Sequence, residues 1–520
     1  GYSSIDTEKY EYKNYEQVLL NSTLSTWWNS SWSYRRKILI HGIDETLDQY
    51  QVELSIDTQS LISQGKMNTD CSDIRFTATK NYYELPITVT NNLGKDIDGP
   101  VRISITDQDI NRHIGDGSTL RIYSSRNSDP FTDPYTGLGF WLEEATTEQV
   151  VIWVKMNISD SQSQTLYLYY GNPSAMNVQD YKSVFDEFIG ETGKTSINSS
   201  WTWISFSNEL NFTPLVVASV VSTNDPAPVV VRIRDINTSG FYARLQESTS
   251  LDDVHGYENI SWIALKPGTY LARDEYIVAN KTNVSNPSGT AYQSISLPNV
   301  FSSTPIVISS INTYNEADEV HTRESSLSTT SFQVKLEEET DSAHAQEEVG
   351  WIALRDGLSL TLGDGTLYAG SLQTTDTWIT IGASDVEAAL GQLESENGGD
   401  NSFARLRPNG NTFDIHVEEE ASYDGAHTTE TLGWIAWTNK TMEIYAANET
   451  YKPSISIGVE QTIGGEELEI PYYIESGCNT TNTTIVIRSR EIPANDYAVI
   501  YMYYGNSAAE SKSSELSIYT

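Results

Sequence analysis

No apolar run in these 520 residues approaches the roughly 18 needed to span a bilayer as a helix. Membrane anchorage would therefore need another segment or a partner. The signatures G-x-S-x-G, H-E-x-x-H and the P-loop are missing. Carboxylates are too plentiful for any pair of them to diagnose a hydrolase, so no enzymatic role and no cofactor are expected. Basic residues are scarce: 32 Lys and Arg stand against 71 Asp and Glu, a formal charge of −39. Such a surface repels phosphate backbones and anionic membranes, which argues against nucleic-acid partners. It attracts divalent cations, and adaptation to high salt gives the same composition. Helix signals are few. The best runs from Ser384 to Glu396, where Ser384 and Glu387 form a capping-box pair followed by Ala388, Ala389 and Leu390, and it predicts a helix there.

What is present reads as all-β. Tyr is the abundant aromatic, at 31 residues. Short β-branched or alternating runs such as Lys37 to Ile40, Leu215 to Ala218, Ile306 to Ile308 and Ile485 to Ile487 are separated by Gly, Asn, Asp and Pro. That spacing predicts tandem β-sandwiches, and the length suits about three to five domains. The chain begins at Gly1 rather than Met, as expected of a secreted protein whose signal peptide has been removed. N-x-S/T sequons begin at Asn21, Asn29, Asn157, Asn198, Asn211, Asn237, Asn259, Asn280, Asn283, Asn439, Asn448, Asn479 and Asn482, more than chance alone supplies, and predict covalent N-glycans on an exported protein. Asn280, Asn283, Asn479 and Asn482 fall in polar loops and are better acceptors than Asn211, which precedes a core strand.

Three internal repeats carry the strongest signal. Each contains D-x-x-H-x-x-E-x-x-x-W-I-A: Asp252, His255, Glu258 and Trp262; Asp341, His344, Glu347 and Trp351; Asp424, His427, Glu430 and Trp434. An aromatic strand precedes each, at Phe241, Phe332 and Phe413. The first two share an upstream T-P-x-V strand, at Thr213 and Thr304, which the third replaces with its helical insertion. Carboxylates and an imidazole on one hairpin could bind a divalent ion. A polar knot, in which carboxylates fix the His over the Trp, explains the threefold recurrence better, and no metal is assigned.

A second pair of repeats flanks the first. TLYLYYGNPSA ends near Ala175 and VIYMYYGNSAA near Ala509. The second copy is split: WSYRRKILIHG (from Trp32) and DCSDIRFT (from Asp70) find their continuation, ELEIPYYIESGCNTTNTT, only from Glu467. These motifs resemble a domain of unknown function that recurs in archaeal cell-surface proteins. The central repeats resemble H-type-lectin sandwiches, which implies a possible glycan ligand but no assignable sugar contacts. The first resemblance puts D-C-S-D and S-G-C-N in one domain, and so implies a disulfide between Cys71 and Cys478 in an exported protein.

The expected organisation is an N-terminal arm (1–26), a discontinuous sandwich (27–83 with 463–520), a second sandwich (84–182) and three lectin-like repeats (183–272, 273–361, 362–462). In the arm, Tyr10, Tyr12, Tyr15, Val18, Leu19 and Leu20 carry apolar surface that is costly to leave in water. The arm is expected to dock on another copy as a donor strand, giving a homo-oligomer or homopolymer. The function expected is a secreted structural subunit of a pilus-like filament or surface layer; the alternative is a monomeric glycan-binding adhesin.

Overall fold

The computed structural model describes residues 14–18, 28–42, 47–78, 82–127, 130–131, 136–172, 175–286, 291–339, 343–363, 365–447, 451–457, 468–492 and 497–519. The chain is almost entirely antiparallel β, in ten sheets among the described residues, with short helices at Thr58–Ser63, Gln108–Ile114 and Leu516–Tyr519.

The strands follow side-chain alternation. In Tyr83–Thr90, for example, Leu85, Ile87 and Val89 point inward and their neighbours outward. Two sandwiches are built this way. In one, the ends of the chain meet. Tyr34–His41 and Arg75–Ala78 each pair with Tyr497–Tyr504, and Leu47–Ile56 pairs with Thr483–Ile492. Ile38, Phe76, Leu54, Ile485 and Ile500 share its core. The Cys71–Cys478 disulfide closes it across 407 residues. In the other, Tyr83–Thr90, Ser163–Tyr170 and Arg121–Tyr123 lie over Ile97–Ile105, Val150–Ile158 and Phe140–Ala145, with Ile87, Val101, Ile152 and Leu168 between them. Ser454–Ile457, from far downstream, adds to its edge.

Each central repeat has a three-stranded outer sheet and an inner sheet, and the inner sheets exchange strands. Gly268–Ala272 leaves the first repeat and pairs with Glu275–Asn286 of the second. Leu358–Thr361 leaves the second and pairs with Thr366–Thr374 of the third. Glu443–Ala446 leaves the third and pairs with Glu187–Ile197 of the first. The three repeats therefore close into a ring. The inner sheets share one core, which contains Val217, Ile263, Ile308, Ile352, Leu390 and Ile435. Trp262, Trp351 and Trp434 are buried, one in each of the three cores between inner and outer sheets.

The helix expected from Ser384 to Glu396 is a strand. Ala388–Leu393 pairs with Glu430–Trp437, and all six of its residues are buried. It occupies the place that Leu215–Val220 and Pro305–Ile311 hold in the other repeats. Asp385, with φ of 57°, breaks the helical frame just after the capping residue. At Gly391 a Cβ would meet the Ile415 side chain at 2.6 Å, so the missing side chain is what lets the outer sheet approach. Pairing and burial in the ring override the local helix preference of Ala-Ala-Leu.

Inner strands of neighbouring repeats also grip one another. The amide of Val216 donates to Asn312 Oδ1 at 3.1 Å, that of Val307 to Glu394 Oε1 at 2.6 Å, and that of Gly391 to Ser219 Oγ at 3.1 Å. Each repeat thus satisfies strand-edge donors of the next.

Candidate functional site

The recurring His and Glu lie at the three borders of the ring. In the first repeat, the hairpin between Gly240–Glu247 and Glu258–Leu265 buries His255. Its Nδ1 is 2.9 Å from Glu247 Oε1, and its Nε2 is 3.6 Å from Glu258, an ion-pair distance rather than a hydrogen bond. In the second, His344 Nδ1 contacts Glu338, and Nε2 is 3.2 Å from Glu347. In the third, His427 is 2.9 Å from Glu419 and 3.1 Å from Glu430. Each second Glu also accepts from a turn: Glu258 from the Asn224 and Asp225 amides, Glu347 from Asn315, Glu430 from Asn397 and Gly398.

Each of these Glu residues also accepts from a hydroxyl of its own repeat, Ser222, Thr313 or Ser395, and a further partner comes from the neighbouring repeat. Arg232 of the first repeat faces Glu347 of the second at 3.6 Å. Arg323 of the second reaches Glu430 of the third at 2.9 Å, and Arg405 of the third reaches Glu258 of the first at 3.2 Å. All six of these side chains are at most 1% exposed. The His-Glu-Arg sets are three copies of one inter-repeat clamp.

The electrostatics follow from this geometry. Burial opposes protonation of His344, but Glu338 and Glu347 outweigh it and raise its pKa to about 9. His255 is raised in the same way, against its burial, by Glu258 and Glu247. His427 is raised chiefly by Glu430. Burial opposes ionisation of Glu430, yet His427, Ser395, the Gly398 amide and Arg323 together lower it to about 2. These shifts favour the charged form of both partners, which suits a clamp.

The Asp residues of the motif stand apart. Asp252 and Asp424 accept from the Val254 and Ala426 amides, each at 3.0 Å, and Asp341 lies outside the described residues. Glu247, Glu338 and Glu419 take their place beside the imidazoles. The arginines left one signal in sequence: Arg232, Arg323 and Arg405 precede their repeats' histidines by 23, 21 and 22 residues.

In the arm, Asn14–Val18, which holds Tyr15 and Val18, pairs with Tyr34–His41 of its own chain at a sheet edge. Within one chain, the strand therefore fills the sheet edge beside Tyr34–His41. Tyr10, Tyr12, Leu19 and Leu20 lie outside the described residues, as do Asn21 and Asn448. Among the other sequons, Asn157, Asn211, Asn237, Asn280, Asn283, Asn439, Asn479 and Asn482 are exposed, and Asn29, Asn198 and Asn259 are half-buried. Asn280 and Asn283 lie in strand Glu275–Asn286 rather than in the expected loop, yet both are exposed, and Asn211 is exposed as well, since its core strand starts only at Leu215.

Comparison with known proteins agrees with the outer motifs. A family described as a domain of unknown function (DUF2341) matches residues 116–205 and 461–519, one stretch beginning in the second sandwich and the other in the split one. The chain is similar to Halomucin of Haloquadratum walsbyi, 26% identical over 246 residues, which is 44% of this chain and 3% of the length of that relative. No solved structure matches.

Proposed function

We propose that this chain is a secreted, N-glycosylated structural subunit of an extracellular filament or surface layer, with no catalytic role, and that its N-terminal strand links one copy to the next. The cell-surface part rests on the DUF2341 match and the similarity to Halomucin. The linking part rests on one observation: Asn14–Val18 forms the outermost strand of its sheet, held by a backbone ladder to Tyr34–His41. A ladder of this kind is indifferent to which chain supplies the strand, so the same edge can be filled in trans. The ring, with its polar residues spent on internal clamps, then serves as a rigid body between connectors.

Tyr15 and Lys37 are directly opposed in that ladder. Tyr15→Cys combined with Lys37→Cys, oxidised in assembled material, should give a ladder of disulfide-linked multimers on non-reducing gels. Bonds formed only within single chains of assembled material would sink the exchange model.

One observation favours glycan binding as a second reading. Each repeat has an aromatic ring at the same position with a cation over it, drawn from one outer strand for Arg234 over Trp201 at 4.2 Å and Arg407 over Trp378 at 4.3 Å, and from the neighbouring strand for Lys335 over Tyr292 at 5.2 Å. Half-buried rings flanked by charge suit the apolar face and hydroxyls of a sugar. Glycan-array binding lost in Trp201→Ala and Trp378→Ala would support this reading; no binding by the wild-type chain would remove it.

A further inference from the structure

One buried position breaks the symmetry of the ring. The residues paired with Gln246, Glu337 and Glu418 are Val230, His321 and Phe403. His321 Nε2 lies 3.1 Å from the Ser402 carbonyl and 3.1 Å from Glu337. A carbonyl only accepts, so Nε2 carries a hydrogen, and Nδ1 is turned the other way. There it meets two carboxylates, Glu319 Oε1 at 3.6 Å and Glu420 Oε1 at 3.4 Å.

Two buried carboxylates converging on one imidazole nitrogen in a dry interior need a positive charge between them, supplied by a proton on Nδ1 or by a metal ion. Glu319 is 2% and Glu420 is 1% exposed, and neither their four oxygens nor His321 Nδ1 has a hydrogen-bond partner. Arg232, whose charge also acts on Glu319, gives its hydrogen bonds to Gln246 and the Asp318 carbonyl. Lys335 and Arg323 serve Glu337 at 2.9 and 3.4 Å, while Ser250 and Ser422 serve Glu339.

We propose that Glu319 and His321 of the second repeat and Glu420 of the third bind one divalent metal ion of the zinc class. Glu319 lies two residues before His321, just ahead of strand His321–Ser325, and both it and Glu420 face His321 Nδ1. Imidazole with carboxylates is a donor set for zinc-class ions rather than for calcium, which takes six or more oxygens. Bonds of about 2.0–2.1 Å in tetrahedral geometry set donors about 3.4 Å apart, and the imidazole-to-carboxylate separations are 3.4 and 3.6 Å. The Nε2 hydrogen bonds orient the ring as an outer shell does in metal sites. A cavity of about 70 Å³ borders His321, with Ser310 and Gln392 in its wall. The ion would join the second and third repeats through residues that the threefold clamps do not use.

Protein stripped with EDTA and held in concentrated salt, which screens the acidic surface, is titrated with Zn²⁺ by calorimetry and with Co²⁺ by visible absorption. One ion per chain and the strong absorption of four-coordinate Co²⁺ are expected. Glu420→Gln should weaken binding about a hundredfold or more, and Asp252→Asn, which alters only an exposed acid, should not. Absence of a stoichiometric site on the native chain would overturn the proposal, leaving Glu319 and Glu420 to share a proton. Undiminished binding by folded Glu420→Gln would overturn it equally. If that variant does not fold, the Co²⁺ spectrum of the native chain decides.

Discussion

Arg323 of the second repeat and Glu430 of the third are 2.9 Å apart, and both side chains are 0% exposed. The pair crosses a border that no strand ladder crosses at that point, so the ring's integrity depends on it. Arg323→Met should leave Glu430 charged in a dry environment and destabilise the chain by about 3–5 kcal/mol. Arg323→Met combined with Glu430→Gln should recover much of that loss. Urea unfolding of both variants tests this, and a single-variant loss under about 1 kcal/mol would contradict the clamp.

Stability should fall on both sides of a mildly acidic optimum. His344, faced by Glu338, Glu347, Glu316 and Arg232, has a folded pKa of about 9 against an ordinary 6.5. Its contribution is therefore complete below about pH 6.5 and is lost as pH rises through about 9. Glu430 is lowered to about 2 from 4.5, so its contribution is present above pH 4.5 and is lost as pH falls through about 2. The ring should lose on the order of 2–3 kcal/mol between pH 6 and pH 10 from His344. His344→Gln should flatten that alkaline limb; an unchanged limb would show that His344 does not drive it.

Cys71→Ser combined with Cys478→Ser should loosen one domain selectively. The bond spans 407 residues of sequence, and chain entropy alone assigns it about 5–6 kcal/mol as an upper figure. Its sandwich has a core separate from the ring's. Calorimetry should show one transition moving down while the ring's transition stays. A single transition moving as a whole would mean that the two bodies unfold together.

Glycans should follow exposure rather than loop character. Asn211 should be occupied along with Asn280, Asn283, Asn479 and Asn482, while the half-buried Asn259, inside strand Glu258–Leu265, should be bare. Glycopeptide mass spectrometry of protein from its native host checks each site. An intact mass of 58.0 kDa would contradict glycosylation altogether.

The split sandwich was legible because its motifs are residue-specific: D-C-S-D near Cys71 and S-G-C-N near Cys478 point to each other across the whole ring. The clamps were half legible. The His and the following Glu recur at fixed spacing, but the nearby Asp drew attention from Glu247, Glu338 and Glu419. Asp252 and Asp424 only cap a turn. The strand Ala388–Leu393 was misread because its composition favours a helix and its neighbours supply a good cap.

Sequence by itself determined the β character, the threefold repetition and the residues that recur, because alternation and spacing are local properties that survive without knowing any partner. Only the tertiary structure decided that Arg232, Arg323 and Arg405 each serve the next repeat, and that Glu319, His321 and Glu420 meet. Those contacts depend on Glu443–Ala446 returning to Glu187–Ile197, and a pairing between segments so far apart leaves no periodicity in either one.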